Sequence, residues 1–139
     1  MKSFLVQGYA AAFHSLDSHG DIILPGAFTR TIEDRGDTGW NALIEHCTKI
    51  GRALRVAQAD KGLYVFIRID PETEHGQQAI DDIKLNLLQG ISIGYKARKH
   101  TWNETGNRVL QEIDLLEISL VKCPSNALCR IIKYGMVEE

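Results

Sequence analysis

The chain has 139 residues, of which 44% are hydrophobic and 24% charged, a composition typical of one globular domain. Its formal net charge of −2 and pI near 6.2 argue against a nucleic-acid-binding protein, which would carry a basic surface. No stretch reaches the ~18 apolar residues that a membrane span requires, and the cysteines lack the spacing of a zinc site or a disulfide framework. We therefore expect a single domain over residues 1–139 with no metal, no cofactor, and neither nucleic acid nor membrane as a partner.

Alternating or short apolar segments, separated by turns rich in Asp, Gly and Asn, predict strands along most of the chain. In chain order these strands cover residues 3–13, 41–46, 50–60, 62–70, 91–102 and 108–122. The last two are joined by the sequence NETGN (103–107), which is a strong hairpin signal. The tail segment 125–135 is predicted as either a short helix or a strand.

Helical signals are fewer. The segment 21–34 begins extended, and Pro25 can then start a short helix, because its missing N–H costs nothing there. Residues 72–88 give the clearest helix, which Gly90 ends. Its apolar stripe follows the three-and-four spacing through Ala79, Ile80, Ile83, Leu87 and Leu88. Many strands with two or three helices predict a mostly β, α+β domain whose strands are largely antiparallel.

The sequence GISIGY (90–95) places a serine between two isoleucines. On a strand, the isoleucines and Tyr95 would share one face, which leaves Ser92 and Gly94 on the other. Because Gly94 has no side chain, the Ser92 hydroxyl would lie on a rigid element with room for a substrate beside it. Ser92 is therefore a candidate nucleophile. The alternative is a serine that faces solvent or fits close packing.

His46 and Glu117 are the candidate partners of such a nucleophile. A serine hydroxyl is a weak nucleophile until a base takes its proton, and histidine is the usual base; the alternative for His46 is a strand-end histidine bonded to backbone. Glu117 interrupts the apolar run 115–121, where a buried carboxylate is costly unless it is paired. As the third member of a triad it would orient the base. The alternative is an edge strand with Glu117 in water, and Asp114 and Glu112 are rival acids.

Cys47 is a rival nucleophile next to His46. On an extended chain the two side chains would point apart, so we interpret Cys47 as a structural or incidental thiol. No HxH or HExxH spacing surrounds His46, which argues against a metal site.

Four stretches, taken together and in order, resemble the tailed-bacteriophage prohead proteases, the serine peptidases that mature phage capsids. These stretches are GYAAAFHSLDSHGDIILPGAF (8–28), LIEHCTKIGR (43–52), LLQGISIGYKA (87–97) and EIDLLEISLVKCPSNALC (112–129). The resemblance covers roughly residues 5–131. It departs from the family at Cys47, where a polar and often acidic residue is expected.

The resemblance implies a fold similar to that of the herpesvirus capsid-maturation proteases: a closed, mainly antiparallel β-barrel with two or three helices packed outside. It also implies that Ser92 is the nucleophile, His46 the general base and Glu117 the third member of the triad. We expect an endopeptidase that cleaves the scaffold protein, scaffold-like segments of the major capsid protein, and itself. It would act as a homo-oligomer inside the immature capsid, in the host cytoplasm.

Two alternatives to this function remain open. One is a non-catalytic capsid-assembly module that kept the protease fold. The other is a different serine hydrolase, such as an esterase, although the usual G-x-S-x-G elbow is absent from the sequence.

Overall fold

The computed structural model describes residues 2–138, which form one large sheet and two helices. The elements in chain order are β1 (Lys2–Ala12), β2 (Asp21–Ile23), α1 (Thr29–Arg35), β3 (Asn41–Ile44), β4 (Thr48–Gln58), β5 (Gly62–Ile69), α2 (Glu74–Lys84), β6 (Gly90–Trp102), β7 (Arg108–Val121) and β8 (Ile131–Glu138). The mostly β composition is confirmed, and the tail segment is a strand rather than a helix.

The strands form a mixed sheet in which β7 has three partners. Hydrogen-bonded ladders run in the order β2-β7-β3-β4-β5-β1-β8, and β6 pairs with β7 along its whole length. β2 and β3 run parallel to β7, whereas the other ladders are antiparallel. Because β6 occupies one edge of β7, the two short parallel strands share the other edge, and β7 is an interior strand.

The predicted closed barrel is wrong, because the sheet is open. Closing a barrel requires a continuous ladder between the two ends of the sheet. Among residues 2–138, only an isolated antiparallel bridge between Gly90 and Arg130 joins the start of β6 to the segment before β8. Next to this bridge the Ile131 N–H bonds to the Gln89 carbonyl, so β8 continues along the chain that precedes β6. The two strands therefore extend in opposite directions from the bridge and form no ladder.

The core lies on the face where the period-two pattern places aliphatic and aromatic side chains. On β1, Phe4 and Val6 are fully buried, and their register partners on β5, Ile69 and Ile67, are buried too. Further buried residues come from the other strands, from α2 and from the segments that flank the two helices: Phe28, Trp40, Ile50, Val56, Leu63, Val65, Ile80, Ile83, Leu88, Ile91, Leu110, Ile113, Ile118 and Leu120.

Helix α2 confirms the predicted helix, although it is shorter than residues 72–88. Thr73 caps its first turn by accepting the Gly76 N–H at 3.0 Å. The predicted stripe is buried from Ala79 to Ile83, but Leu87 lies beyond the helix and is exposed. The helix ends early because Asn86 takes a left-handed conformation, with φ 60°. Within the described chain, neither α1 nor α2 is long and apolar enough to cross a bilayer.

Helix α1 packs on β7 through polar contacts that surround one tryptophan. The Thr31 hydroxyl accepts the Leu115 N–H at 3.2 Å, and the Trp40 indole N–H donates to the Leu115 carbonyl at 3.1 Å. The Arg35 guanidinium lies 4.6 Å from the centre of the Trp40 ring. Trp40 is fully buried, and truncating such a residue costs about 3–5 kcal/mol. These contacts fix the strand that carries the candidate acid, Glu117.

Candidate active site

The β6–β7 hairpin places four small or polar residues on one face of the sheet. Ser92 lies directly opposite Ser119, and Gly94 lies opposite Glu117. Opposite residues of an antiparallel pair project from the same face. The alternation that predicted Ser92 and Gly94 on a common face therefore holds, and β7 adds a carboxylate and a second hydroxyl to that face.

His46 lies in the turn between β3 and β4, so the prediction that it ends a strand is wrong. β3 stops at Ile44, and Glu45 and His46 have φ of 48° and 58°. This left-handed region costs a residue other than glycine about 1–3 kcal/mol. β7 and the residue after it hold the turn: the Glu45 N–H donates to the Leu120 carbonyl at 3.0 Å, and the Lys122 N–H donates to the Glu45 carboxylate at 2.7 Å. The backbone of the turn is therefore strained, and its hydrogen bonds to β7 and Lys122 hold it in place.

The turn brings the imidazole of His46 to the carboxylate of Glu117. His46 Nδ1 lies 2.5 Å from Glu117 Oε1, and the Ser119 hydroxyl donates to Oε2 at 2.7 Å. The Glu117 side chain is 16% exposed, on a strand that is paired along both edges. The edge-strand alternative for Glu117 is therefore wrong. A carboxylate that accepts at both oxygens leaves the proton on Nδ1, so Nε2 is the ring nitrogen free to accept another proton.

Gly94 makes room for the Glu117 carboxylate. A Cβ at position 94 would lie 2.4 Å from Glu117 Oε1 and 2.9 Å from its Cδ, closer than real Cβ contacts come. The sequence predicted that this space would serve a substrate. In the structure the Glu117 carboxylate occupies the space of a Cβ at position 94, and Gly94 also lines the cavity beside Ser92.

Ser92 and His46 line one open cavity of about 680 Å³. Ser92 is 7% exposed and the His46 side chain 44% exposed. Among residues 2–138, the hydrogen bonds of His46 go to Glu117 and Ser119, and none joins it to Ser92. Such nucleophile–base contacts are often long without substrate and shorten when it binds. The geometry places a hydroxyl and an imidazole on one cavity, with a carboxylate bonded to the imidazole.

A second polar cluster, Asp21 with Tyr95 and Arg108, lines the same cavity. Arg108 donates to both Asp21 oxygens at 2.9 Å, and the Tyr95 hydroxyl donates to Oδ2 at 2.5 Å. The hydrogen bonds from Arg108 lower the pKa of Asp21 and raise that of Arg108, whereas burial and the neighbouring carboxylate raise the pKa of Tyr95. The sequence interpretation missed this cluster, because it placed Asp21 at the start of an extended segment and Tyr95 on the face of the isoleucines.

The rival residues have other partners or surroundings. Asp114 accepts from Arg98 at 3.1 Å, and Glu112 lies 3.5 Å from the same guanidinium. Cys47 is an exposed free thiol, and burial raises the pKa of the Cys129 thiol to about 12. In the part of the chain that the structure describes, no three His, Cys, Asp or Glu side chains are grouped to hold a metal ion.

Comparison with solved structures gives the fold. The capsid assembly protease of bacteriophage T4 matches with a TM-score of 0.66 at 12% identity, over 84% of this chain and 80% of that one. The protease of KSHV, solved with a hexapeptide phosphonate inhibitor, matches with a TM-score of 0.63 at 14% identity, over 96% of this chain and 65% of that one. The chain therefore shares a fold with these two viral proteases.

Comparison of sequences gives the family. The family model described as caudovirus prohead serine protease matches residues 1–138, and the chain belongs to that family. The prohead protease of Enterobacteria phage HK97 is 34% identical over 148 residues, which cover 99% of this chain and 63% of that relative. The family resemblance predicted from the four sequence stretches is confirmed.

Proposed function

We propose that this domain is a serine endopeptidase in which Ser92 is the nucleophile, His46 the general base and Glu117 the acid that orients the base. The observation that carries the proposal is the His46–Glu117 pair, 2.5 Å apart, beside a cavity that Ser92 also lines. Family membership supports the peptidase class. The fold alone would not, because one fold hosts many functions.

In the proposed reaction, His46 carries a proton on Nδ1 and accepts a second one at Nε2. With its Nδ1–H bonded to Glu117, His46 accepts the Ser92 proton at Nε2 while the hydroxyl oxygen attacks a peptide carbonyl. The imidazolium then gives that proton to the leaving amine, and an acyl-enzyme remains on Ser92. Water activated by the same imidazole hydrolyses the ester. Glu117 stays ionised throughout and stabilises the imidazolium.

The substrates are the scaffold protein, scaffold-like segments of the major capsid protein, and the enzyme itself. The support is the family and two relatives, one called a prohead protease and the other a capsid assembly protease. In this proposal the domain acts inside the immature capsid, assembled in the host cytoplasm. The chain spans 63% of the length of the HK97 relative, so the proposal concerns the catalytic domain.

The domain also acts as a homo-oligomer in this proposal. β8 pairs only with β1, and its other edge is unpaired within the described sheet. Ile132, Tyr134 and Met136 are exposed on this strand, and an open apolar edge is a template for pairing with another chain. Sedimentation of wild type and Tyr134→Glu checks the idea: wild type should associate and the variant less so. A wild-type protein that stays monomeric at high micromolar concentration would exclude it.

The catalytic proposal is tested with the capsid or scaffold protein as substrate. Wild type should cleave it and should lose this activity after treatment with a fluorophosphonate, whereas Ser92→Ala should be inactive. Ser18→Ala is the matched control, because Ser18 is an exposed serine outside the cavity, and it should cleave like wild type. Cleavage by purified Ser92→Ala at the wild-type rate would refute the mechanism.

Within residues 2–138, no hydrogen bond joins Ser92 to His46. This observation favours the alternative hypothesis of a non-catalytic assembly module. A module of this kind would keep the fold and fail to react with the fluorophosphonate. An esterase would react but hydrolyse a simple ester in preference to the scaffold. Reactivity and substrate preference together separate the three functions.

A further inference from the structure

Ser119 lies at the junction of the two residues that the proposed mechanism pairs. It is fully buried on β7, two residues after Glu117 and directly opposite Ser92. Its Oγ accepts the backbone N–H of His46 at 3.1 Å and donates to Glu117 Oε2 at 2.7 Å. One hydroxyl therefore contacts the backbone of the base and the side chain of the acid.

The direction of these two hydrogen bonds is fixed by the number of protons. A serine hydroxyl has one proton to donate and two lone pairs that accept. The His46 N–H can only donate, so the Ser119 proton is left for Glu117 Oε2. Glu117 Oε1 then accepts from His46 Nδ1. This closed arrangement orients the carboxylate, holds the imidazole in the tautomer with Nδ1 protonated, and leaves Nε2 as the acceptor for the Ser92 proton.

We propose that Ser119 is a positioning residue: its hydroxyl holds the Glu117 carboxylate and the strained turn of His46 in the geometry that makes His46 a base toward Ser92. This inference rests on the proposed function and adds a fourth residue to its machinery. Within residues 2–138 the hydrogen bonds of the Ser119 hydroxyl go to His46 and Glu117 and none goes to Ser92, so it acts through Glu117 and His46.

Two further hydrogen bonds hold the turn besides the one to the Ser119 hydroxyl. The Glu45 N–H is bonded to the Leu120 carbonyl, and the Glu45 carboxylate accepts the Lys122 N–H. Both bonds tie the same turn to β7 or to the residue that follows it, and both survive loss of the Ser119 side chain. Removal of the hydroxyl should therefore leave the turn folded while the carboxylate and the ring lose their shared anchor.

The matched control is Ser3, another fully buried serine with a side-chain partner. Ser3 lies on β1, away from the cavity, and its Oγ accepts a hydrogen bond from Arg68 Nε at 3.0 Å. Ser3→Ala and Ser119→Ala each delete one buried, hydrogen-bonded hydroxyl. Any general effect of that deletion on stability appears in both variants, whereas an effect on the reactivity of Ser92 appears only at position 119.

The test measures the rate of fluorophosphonate labelling, kcat and KM for wild type and four variants: Ser119→Ala, Ser119→Cys, Ser3→Ala and Ser92→Ala. Ser119→Ala should lower the labelling rate and kcat on the order of 10²-fold with KM nearly unchanged, because a displaced base and acid lose their alignment. Ser119→Cys fills the same space with a weak donor, so it should lose a similar factor even if the alanine variant folds poorly. Ser3→Ala should label like wild type.

A double-mutant cycle shows whether Ser119 acts through the acid. In a Glu117→Ala background, removal of the Ser119 hydroxyl should cost far less than in wild type, because the group that it orients is gone. Losses that multiply would overturn the inference, and so would Ser119→Ala or Ser119→Cys labelling at the wild-type rate. Those results would leave the proposed function intact. If wild type itself fails to label, the proposed function and this inference both fall.

Discussion

Two polar clusters lie beside one cavity, and they differ in what their protons can do. Only His46 of the first cluster lines the cavity, whereas all three residues of the second do. In the first, Glu117 accepts from His46 and Ser119; in the second, Asp21 accepts from Arg108 and Tyr95. Each cluster centres on a carboxylate with two donors. The first contains an imidazole, whose second ring nitrogen can accept a proton, whereas the guanidinium of Arg108 has no acceptor atom.

The second cluster is suited to joining strands rather than to transferring protons. Arg108 holds the pKa of Asp21 below its usual value, and burial raises the pKa of Tyr95. The cluster joins three strands, because Asp21 begins β2, Tyr95 lies in the middle of β6 and Arg108 begins β7. Shifted pKa values often mark active sites, but here they belong to the cluster that connects three strands. The candidate catalytic residues are identified by their geometry instead.

The largest expected effect is at the nucleophile and the base. Ser92→Ala or His46→Ala should each lower kcat/KM on the order of 10⁴-fold or more, and the double variant should be little worse, because the residues act as a unit. Steady-state kinetics with a scaffold-derived peptide measures this, and a cooperative unfolding transition shows that each variant is folded. Losses that multiply in the double variant would mean that the two residues do not act together.

Glu117→Gln should lower kcat/KM on the order of 10²- to 10³-fold, less than either change above, because the amide keeps the shape and removes the charge that supports the imidazolium. The control is Glu112→Gln on the same strand, whose carboxylate lies near Arg98 rather than His46, and it should remain close to wild type. Equal losses in the two variants would remove Glu117 from the proposed triad.

Asp21→Asn should act mainly on stability. Breaking a buried ion pair costs about 3–5 kcal/mol, and we expect the low end because the Arg108 side chain is 34% exposed. Urea denaturation should show this loss, while kcat/KM of the folded variant falls less than in Glu117→Gln. A variant with wild-type stability and no activity would move the Asp21 cluster into the catalytic machinery.

The stability that the Asp21–Arg108 pair contributes should also depend on pH. Folding lowers the pKa of Asp21 below its usual 3.8, so near that pH the unfolded chain binds more protons than the folded one. The stabilisation by Asp21 is therefore complete above pH 3.8 and is lost as pH falls through the lowered value. The difference in unfolding free energy between wild type and Asp21→Asn should shrink over that acid range and stay constant near neutral pH.

Gly94→Ala should give the smallest loss, on the order of 10-fold in kcat/KM, because the new methyl group shifts the Glu117 side chain but leaves its negative charge near His46. Stability should fall modestly, because the shifted side chain, from Cγ to Oε1, is bonded to His46 and Ser119. Gly135→Ala is the control: a Cβ there meets nothing within 4 Å. Full activity of Gly94→Ala would show that the position of the carboxylate is not critical.

Local patterns predicted the parts of the fold that depend on local physics. The β6–β7 hairpin follows from period-two alternation around NETGN, and α2 follows from helical spacing. The closed barrel, which the family resemblance implied, was wrong because closure depends on the direction in which β8 leaves the Gly90–Arg130 bridge. That direction is set by pairing between distant segments, which no local pattern encodes.

The candidate site was predictable to the same extent. Ser92 and Glu117 interrupt apolar strands, so the cost of placing a polar group there made them visible. The turn at His46 was not, because Glu45 and His46 lack the glycine or asparagine that usually signals a left-handed turn. Ser119 resembles any small residue in a strand, and its role emerges only from the register that places it beside Glu117 and His46.

The most direct test of the account is to map the fluorophosphonate adduct by mass spectrometry of the folded protein. The account predicts one phosphonyl group per chain, bound to Ser92, absent in Ser92→Ala and formed far more slowly in His46→Ala. An adduct on Ser119, on Cys47 or on Ser125, a second serine that lines the cavity, would contradict it. So would the absence of any adduct on protein that cleaves the scaffold.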